Sequence, residues 1–451
     1  MDRREFLKAG GLTALALGLS AFSPLGLTRR ILADPAQGTK KLIFIFQRGG
    51  NDGVNTLIPR GDPDYNLTTR PTLFIGEDDA IDLGNGFAQL HPAMLPVMEI
   101  YNSTALTGVA GPGNLAVLHR IGYQNQSQSH FDSQQYWETG VPGKGTVDEG
   151  MLYRQIARTM EPETNHVAGI SMSSTQMVAL KGSVPLPTIS SVDSFSLGGT
   201  PAKVQKFLGS LPSTPQGTDG RGVLGAYGGA RDFPAHPYRD LVYGTGLVLA
   251  DAMQIVQDAL SQGTYTPANG AVYPTGSFGT KLQQAAMLLK RTQARVLGIN
   301  VGGWDTHTKQ GGIQGTQAGL LQSVAQGFQA LHRDLQDQWG DLIIVTMTEF
   351  GRTSKENGSL GTDHAYASVM FVAGGGVKGG VYNCGTGTWS AGDLFSQSSR
   401  YVKYRTDYRA VFGEIFTRHF GDDLALLNQV IPGYSEAEAA APEAFAFLNF
   451  L

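Results

Sequence analysis

Cysteine is almost absent from this sequence, since Cys384 is the single cysteine among 451 residues. One thiol excludes a disulfide within the chain, and it excludes zinc and iron–sulfur sites built from cysteine alone. Residues that carry chemistry are therefore to be sought among the carboxylates, imidazoles and hydroxyls.

Charge is also scarce, and no excess of positive charge exists. Charged residues make up 16% of the chain, the formal net charge is −4, and the isoelectric point is near 6.1. A protein of this balance has no basic field to attract nucleic acid, so we expect no nucleic-acid partner. Glycine is abundant instead, with 60 residues, and predicts many tight turns.

Long apolar runs are missing, except for a mildly apolar stretch near the N-terminus. There, Arg3 and Arg4 are followed by an aromatic residue, a lysine and an apolar run to about Leu27. This order predicts a twin-arginine export signal over residues 1–33 and a linker over 34–40. The alternatives are a membrane anchor and a chance arginine pair. We expect the twin-arginine translocase as a partner, a periplasmic or secreted location, and no stable membrane span after cleavage.

Apolar runs that predict buried strands alternate with helical patterns along the rest of the chain. The strand-like runs are KLIFIF, NLAVLHRIG, HVAGISM, ARVLGINV, DLIIVTM and SVMFVAGG. Between and after them lie HFDSQQYWETG, EGMLYRQIARTM, TKLQQAAMLLKRT, GLLQSVAQGFQALHRDLQDQ and DYRAVFGEIFTRHF, which are typical of helices. This alternation predicts an α/β fold with a doubly wound, mostly parallel sheet and helices on both faces.

One stretch interrupts this alternation. Residues from about 183 to 274 are rich in Ser, Thr, Gly and Pro, with one helical pattern at GTGLVLADAMQIVQDAL. We interpret it as a loop-rich insertion in a single domain that covers residues 41–451.

Acids and histidines collect at the ends of the predicted strands. Ligands of such sheets bind beyond the carboxyl ends of the strands, so these positions are where chemistry is expected. The residues concerned are Asp52, then Ser127, Ser129, His130 and Asp132, then Asp305 and His307, then Glu349 and Arg352, and finally Asp363 and His364.

The carboxylates and imidazoles together indicate a metal site. Gathered at one sheet edge, they repel one another or stay unsatisfied unless a cation lies between them. Such ligands suit zinc, manganese, iron or magnesium, and a site with two ions roughly 4 Å apart needs about this many. The glycines beside Asp52 would let the backbone turn sharply next to an ion. The alternative for any single Asp-His pair is a turn residue or a hydrogen-bonded partner.

Ser129 and Arg352 are the candidates for contact with a substrate. Ser129 precedes a predicted helix, where backbone N–H groups and the helix dipole favour an anion. The alternatives are that Ser129 is only a helix N-cap, or that Ser127 is the nucleophile. Arg352 has the geometry to clamp a phosphate or sulfate group, and its alternative is a structural ion pair.

Five segments, in order, carry a resemblance to a known family. They are RGGNDGVNTLIP, SQSHFDSQQYWETG, GGWDTH, TEFGRT and GTDHA. With them the chain resembles the exported domain-of-unknown-function 1501 family, which looks like a branch of the alkaline phosphatase-like superfamily. The resemblance covers most of the chain beyond the leader.

The resemblance implies an alkaline phosphatase-like sheet with metal ligands at its carboxyl edge. Asp52 would match the first-strand aspartate of that superfamily and Ser129 its nucleophile, while Phe350 stands where it has a histidine. With the strand-end argument, the expected ligands of one or two divalent ions are Asp52, Asp305, His307, Glu349, Asp363 and His364. The expected catalytic residues are Ser129, His130 and Arg352.

The expected function is therefore an exported metal-dependent hydrolase of phosphate or sulfate esters. Its nucleophile would be a serine hydroxyl or a metal-bound water, and its substrate an anionic small molecule or polymer. The chain has no Cys-x-Pro-x-Arg pattern, which argues against a formylglycine sulfatase. One alternative is a non-catalytic extracytoplasmic binding or assembly protein with a partial metal site. The other is a lyase or mutase acting on a sugar phosphate.

Overall fold

A computed structural model describes residues 39–102, 113–145, 147–162, 164–195 and 237–451. Residues 41–451 form one unit of the chain. The predicted export signal over residues 1–33 lies outside the described residues, as does most of the predicted linker.

The strands sort into a large sheet and a small one. Their bounds are β1 Lys41–Gln47, β2 Leu57–Ile58, β3 Ile81–Asp82, β4 Gln89–Leu90, β5 Leu115–Gly122, β6 Gly169–Met172, β7 Val296–Val301, β8 Leu342–Thr348, β9 Ser368–Ala373, β10 Gly380–Tyr382 and β11 Thr406–Asp407. All six strands predicted from apolar runs are present, as β1 and β5 to β9.

The large sheet has the order β10-β5-β9-β8-β1-β7-β6, and β11 pairs with the end of β5. Its pairs are parallel except those of β9, which runs antiparallel to both β5 and β8. The carboxyl ends of β1, β5, β7 and β8 therefore share one edge with the beginning of β9. The strands β2, β4 and β3 form a separate antiparallel sheet.

Helices and short helical turns connect the strands. The α-helices are α1 Gly53–Thr56, α2 Met98–Asn102, α3 His130–Thr139, α4 Met151–Thr159, α5 Pro237–Ser261, α6 Ser277–Arg291, α7 Thr316–Asp334, α8 Tyr408–Glu414, α9 Leu427–Val430, α10 Tyr434–Ala440 and α11 Pro442–Phe445. A 3-10 helix over Pro92–Val97 precedes α2, and a π-helical turn over Ile415–His419 follows α8. The predicted helices are confirmed, including α3, whose end at Gly140 is left-handed (φ 73°).

Both faces of the large sheet are covered. On one face, Ile43 and Ile45 of β1 belong to a buried cluster that includes Leu282 of α6 and Phe328 of α7. On the other, Phe44 belongs to a second cluster with residues of α3, α4 and α8. Each such buried side chain contributes roughly 1.5–3 kcal/mol, which explains why the predicted strands are mostly apolar. The chain therefore has an α/β fold with a mixed, mostly parallel central sheet and helices around it.

The predicted insertion is described only in part. The helix predicted within it is present as α5, and a 3-10 turn covers Val192–Ser194. Residues 196–236 lie outside the described residues. Among the residues that are described, no helix combines the length and the apolar character needed to span a membrane.

Candidate metal centre

Four loops meet at the carboxyl edge of the large sheet. His130 is the first residue of α3, which follows β5, and the loop after β7 carries Asp305 and His307. Glu349 directly follows β8, and His364 lies just before β9. The antiparallel direction of β9 is what brings the segment before it to this edge. The topology thus gathers side chains that are up to 234 residues apart in the sequence, from position 130 to position 364.

Three imidazoles converge on the carboxylate of Asp305. Its Oδ1 lies 3.1 Å from Nε2 of His307 and 3.3 Å from Nε2 of His364, and its Oδ2 lies 3.6 Å from Nε2 of His130. The Nε2 atoms of His307 and His364 are 2.9 Å apart. Ligands about 2.0–2.1 Å from a zinc ion in a tetrahedral site are separated by roughly 3.3 Å. Ligand atoms of His130, Asp305 and His364 all lie within 4.8 Å of one another, a spacing that fits a single bound ion, and His307 adjoins Asp305 and His364.

Each imidazole has an oxygen acceptor behind it. Nδ1 of His130 bonds to Oε2 of Glu349, Nδ1 of His307 lies 3.2 Å from Oδ1 of Asp363, and Nδ1 of His364 lies 2.7 Å from the carbonyl oxygen of Gln128. Because these oxygens accept, the three Nδ1 atoms donate, and in the neutral rings the Nε2 lone pairs face Asp305. Metal-binding histidines characteristically have this arrangement.

The charge state of the cluster also suits a cation. Partial burial raises the pKa of the Asp305 carboxyl, but the hydrogen bond and positive charge of Arg352 outweigh burial and hold that pKa below its usual value. Burial lowers the pKa of His364, which favours its neutral, metal-binding form. Asp305 and His307 keep 47% and 41% of their side chains exposed, so solvent and small molecules reach the cluster.

Glu349 and Asp363 stand behind the imidazoles instead of among them. Oε1 of Glu349 accepts a hydrogen bond of 2.8 Å from Gln134, and its other oxygen is bonded to His130. Oδ1 of Asp363 accepts from Asn357 at 2.9 Å in addition to its bond with His307. Among the described residues, both predicted ligands therefore orient histidines, and His130, predicted to be catalytic, lies among the groups that converge on Asp305.

Arg352 does not point to a substrate position. Its side chain is fully buried, and its Nε and Nη1 donate to the carbonyl oxygens of Gly50 (2.9 Å) and Thr362 (3.1 Å). Nη2 donates to Oδ1 of Asp305 at 2.6 Å and to the carbonyl oxygens of Gly49 and Trp304. The guanidinium has no free side for a phosphate clamp. Of the two predicted possibilities, the structure contains the ion pair, which fixes Asp305.

The two glycines before Asp52 allow the backbone to contact Arg352. Gly49 and Gly50 have φ of 121° and 93°, a region that favours glycine. A Cβ on Gly50 would lie 2.6 Å from the ring of Phe350, and one on Gly49 would lie 2.4 Å from the backbone nitrogen of Asp305. Only glycine allows the two carbonyl groups to turn toward Arg352 at this close approach.

Asp52 is not brought into the cluster. Its carboxylate is buried in an ion pair with Arg70, with Nη1 2.6 Å from Oδ2 and Nη2 3.2 Å from Oδ1. Oδ1 also accepts from the backbone nitrogen of Val54 at 3.2 Å and caps α1, while Oδ2 accepts from Gln310 at 2.7 Å. Its lone pairs are taken by these donors, so the structure places Asp52 in a buried polar network and not at the focus of the imidazoles.

Ser129 lies at the start of α3, between two residues of the cluster. Its Oγ accepts from the backbone nitrogen of Asp132 at 3.4 Å, which makes it the N-cap of the helix. The hydroxyl of Ser127 accepts from the backbone nitrogen of Ser129 at 3.1 Å and lies 3.4 Å from a carboxylate oxygen of Asp132. The capping role is present in the structure, and Ser129 is the serine that directly adjoins His130.

Two contributions to the cluster were missed in the sequence. Gln134 lies four residues after His130, so helical spacing already places both side chains on one face of α3. The contact of the Gln128 carbonyl group with His364 could not be predicted from the sequence. Every residue has a backbone carbonyl group, and only the tertiary structure places this one next to His364.

Part of the chain matches the model of a known family. No curated protein matches the chain. Residues 248–421 match a family described as "Protein of unknown function (DUF1501)". The matched segment contains Asp305, His307, Glu349, Asp363 and His364, whereas His130 precedes it. This match supports a relationship to the DUF1501 family over that segment.

Proposed function

We propose that this protein is an exported metal-dependent hydrolase of phosphate or sulfate esters, with one divalent ion bound by His130, Asp305, His307 and His364. One observation carries the proposal: three Nε2 atoms converge on a single carboxylate while each Nδ1 bonds to an oxygen. The proposal includes an alkaline phosphatase-like fold, in which such a site would lie at the carboxyl edge of the sheet.

The donor set narrows the choice of ion. Three imidazoles with one carboxylate suit zinc, manganese or iron better than magnesium, which prefers oxygen ligands. Because Glu349 and Asp363 are turned to histidines, the described residues offer ligands for one ion better than for two. A bound ion would supply positive charge that polarises the ester and favours loss of a proton from the attacking hydroxyl or water.

The residues of the chain have distinct parts in this proposal. Arg352 holds the carboxylate of Asp305 in place, and Glu349 and Asp363 orient two of the imidazoles. Ser129 is the candidate nucleophile because its hydroxyl lies at the N-terminus of α3, next to His130. The N–H groups and dipole of this helix end favour a negatively charged phosphoryl or sulfuryl group there.

A second function is favoured by one specific observation. The donors of Arg352 are consumed by carbonyl groups and by Asp305, so this arginine supplies no clamp for an anionic ester. A non-catalytic extracytoplasmic binding or assembly protein that keeps a structural metal ion needs no such clamp. Both functions include the metal site, but only the hydrolase would turn over a substrate.

Metal content is the measurement that tests the proposal. Protein purified without chelator is expected to contain about one equivalent of zinc, manganese or iron by mass spectrometry, and an Asp305→Asn, His364→Ala double variant is expected to lose it. His166→Ala is the matched control, because His166 forms an imidazole–carboxylate pair with Asp251, with 2.7 Å between Nδ1 and Oδ2, apart from the cluster. Equal metal content in the wild type and the double variant would overturn the proposed site.

Export is a separate part of the proposal. It is supported by Arg3 and Arg4 and the apolar stretch that follows them. Replacing both with lysine is expected to leave the protein in the cytoplasm, as measured by cell fractionation. Unchanged export of that variant would contradict the twin-arginine route.

A further inference from the structure

A buried glutamine, Gln310, joins the loops that carry the proposed metal ligands. Its side chain is fully buried, and its Nε2 donates to Oδ2 of Asp52 at 2.7 Å and to Oε1 of Gln317 at 2.6 Å. Its Oε1 accepts from the hydroxyl groups of Thr306 at 2.9 Å and Thr362 at 2.6 Å. The amide thereby uses both donors and both acceptor positions.

The orientation of this amide is determined by its neighbours. The carboxylate of Asp52 is paired with Arg70 in a buried site and can only accept hydrogen bonds, so the NH2 group of Gln310 must face it. The carbonyl oxygen of Gln310 must then face Thr306 and Thr362. A flipped amide would set oxygen against carboxylate and leave the two buried hydroxyls without an acceptor at this position.

The two threonines lie next to the proposed ligands. Thr306 stands between Asp305 and His307, and Thr362 directly precedes Asp363 and His364. The two loops also contact each other directly, since the backbone nitrogen of Thr362 donates to the carbonyl oxygen of Thr306 at 3.2 Å. One side chain, anchored on Asp52 in the loop after β1, therefore bonds to both loops and adds to the backbone hydrogen bonds between them.

We propose that Gln310 is a positioning residue, which holds the loop of Asp305 and His307 in register with the loop of Asp363 and His364. This inference rests on the proposed function for its consequence, metal affinity, but the coupling of the two loops exists without a metal ion. It also gives Asp52 a part in the site, as the anchor of Gln310 and not as a ligand.

Hydrogen exchange measured by mass spectrometry on chelator-treated protein tests the coupling. Gln310→Met keeps the volume of the side chain but removes all four hydrogen bonds, and Thr362→Val removes only one. Amide exchange in residues 303–309 and 361–366 is expected to rise together, about tenfold in Gln310→Met and less in Thr362→Val. The control is Tyr273→Phe, which removes a 2.7 Å hydrogen bond to the buried carboxylate of Asp334 and is expected to leave both loops unchanged.

Zinc affinity of the same proteins, measured by competition with a chromophoric chelator, gives the functional consequence. We expect it to fall about 10- to 100-fold in Gln310→Met and not in Tyr273→Phe. Faster exchange confined to residues 310–316, or unchanged zinc affinity in Gln310→Met, would overturn the inference. A wild type without zinc affinity would instead overturn the proposed function, and the exchange data would still decide whether Gln310 couples the loops.

Discussion

Nε2 of His307 lies 2.9 Å from Nε2 of His364, although neither ring has its Nδ1 free. The acceptors behind the two rings are a carboxylate and a backbone carbonyl group, so both Nδ1 atoms donate. In the neutral rings, two lone pairs then face each other, and this contact is repulsive unless a proton or a metal ion lies between them. The contact is the clearest local reason for placing a cation at this site.

Replacement of Arg352 by lysine is expected to lower the free energy of unfolding by about 3–5 kcal/mol, as measured by urea denaturation. Lysine cannot reproduce the fork that bonds to Asp305 and to the carbonyl groups, and it leaves the buried carbonyl groups of Gly50 and Thr362 without these donors. Arg418→Lys is the control, because Arg418 is about a third exposed and its ion pair with Glu414 spans 3.5 Å. A change below about 1 kcal/mol in Arg352→Lys, with turnover lost, would favour a substrate-binding role instead.

Two replacements of Ser129 separate catalysis from helix capping. Ser129→Ala removes the N-cap of α3 and is expected to cost about 1 kcal/mol of stability, whereas Ser129→Asn keeps a capping oxygen and nearly full stability. If Ser129 is the nucleophile, both variants lose hydrolysis of 4-nitrophenyl phosphate and 4-nitrophenyl sulfate. Turnover retained by Ser129→Asn would show that the hydroxyl only caps the helix, and Ser127→Ala would then test the other serine.

Alanine at Gly50 is expected to destabilise the protein by more than alanine at Gly84. Both glycines have positive φ, 93° and 71°, and share the backbone strain of about 1 kcal/mol. A Cβ on Gly50 would also overlap the ring of Phe350, whereas one on Gly84 would meet no atom within 4 Å. Thermal unfolding of the two variants measures the difference. Equal losses would mean that the close approach around Arg352 relaxes easily.

Acid is expected to destabilise the fold through His119. Burial lowers the pKa of this fully buried imidazole from 6.5 to about 3. Between pH 6.5 and pH 3, the imidazole of His119 is protonated in the unfolded chain but stays neutral in the folded chain. The stability that is present above about pH 6.5 is therefore lost as the pH falls toward 3. The slope is on the order of 1.4 kcal/mol per pH unit. Denaturation of wild type and His119→Gln from pH 7 to pH 4 should show a smaller slope in the variant, and equal slopes would contradict the assignment.

The strands next to the site were predictable because burial on both faces of the sheet requires a continuous apolar run in the local sequence. Runs such as residues 42–46 and 342–345 are apolar without interruption, since each side chain belongs to a buried cluster on one face of the sheet or the other. The positions of Asp305 and Glu349 after their strands were equally visible. Parallel strands end at a common edge, so a sequence that places acids after such strands predicts their approach.

The identity of the partners was not predictable in the same way. Arg70 carried no pattern that connects it to Asp52. For Arg352, a substrate clamp and a structural ion pair were equally compatible with the sequence, and its donors lie on carbonyl groups and Asp305. Hydrogen-bond capacity is a fixed property of a residue, but the group that uses it is chosen by packing between segments far apart in the chain. Gln310 is the extreme case, because glutamine alone indicates no role.

The sequence by itself determined the alternation of strands and helices and the set of acids and histidines that follow the strands, because hydrophobic periodicity and strand-end position are local properties. Only the tertiary structure decided which of these residues meet. The antiparallel strand β9 brings His364 to the same edge as Asp305, and α3 delivers His130 opposite Glu349. Strand direction and loop packing depend on the whole sheet at once, and for that reason the ligands, the groups behind them and the buried anchor Asp52 were distinguished only in three dimensions.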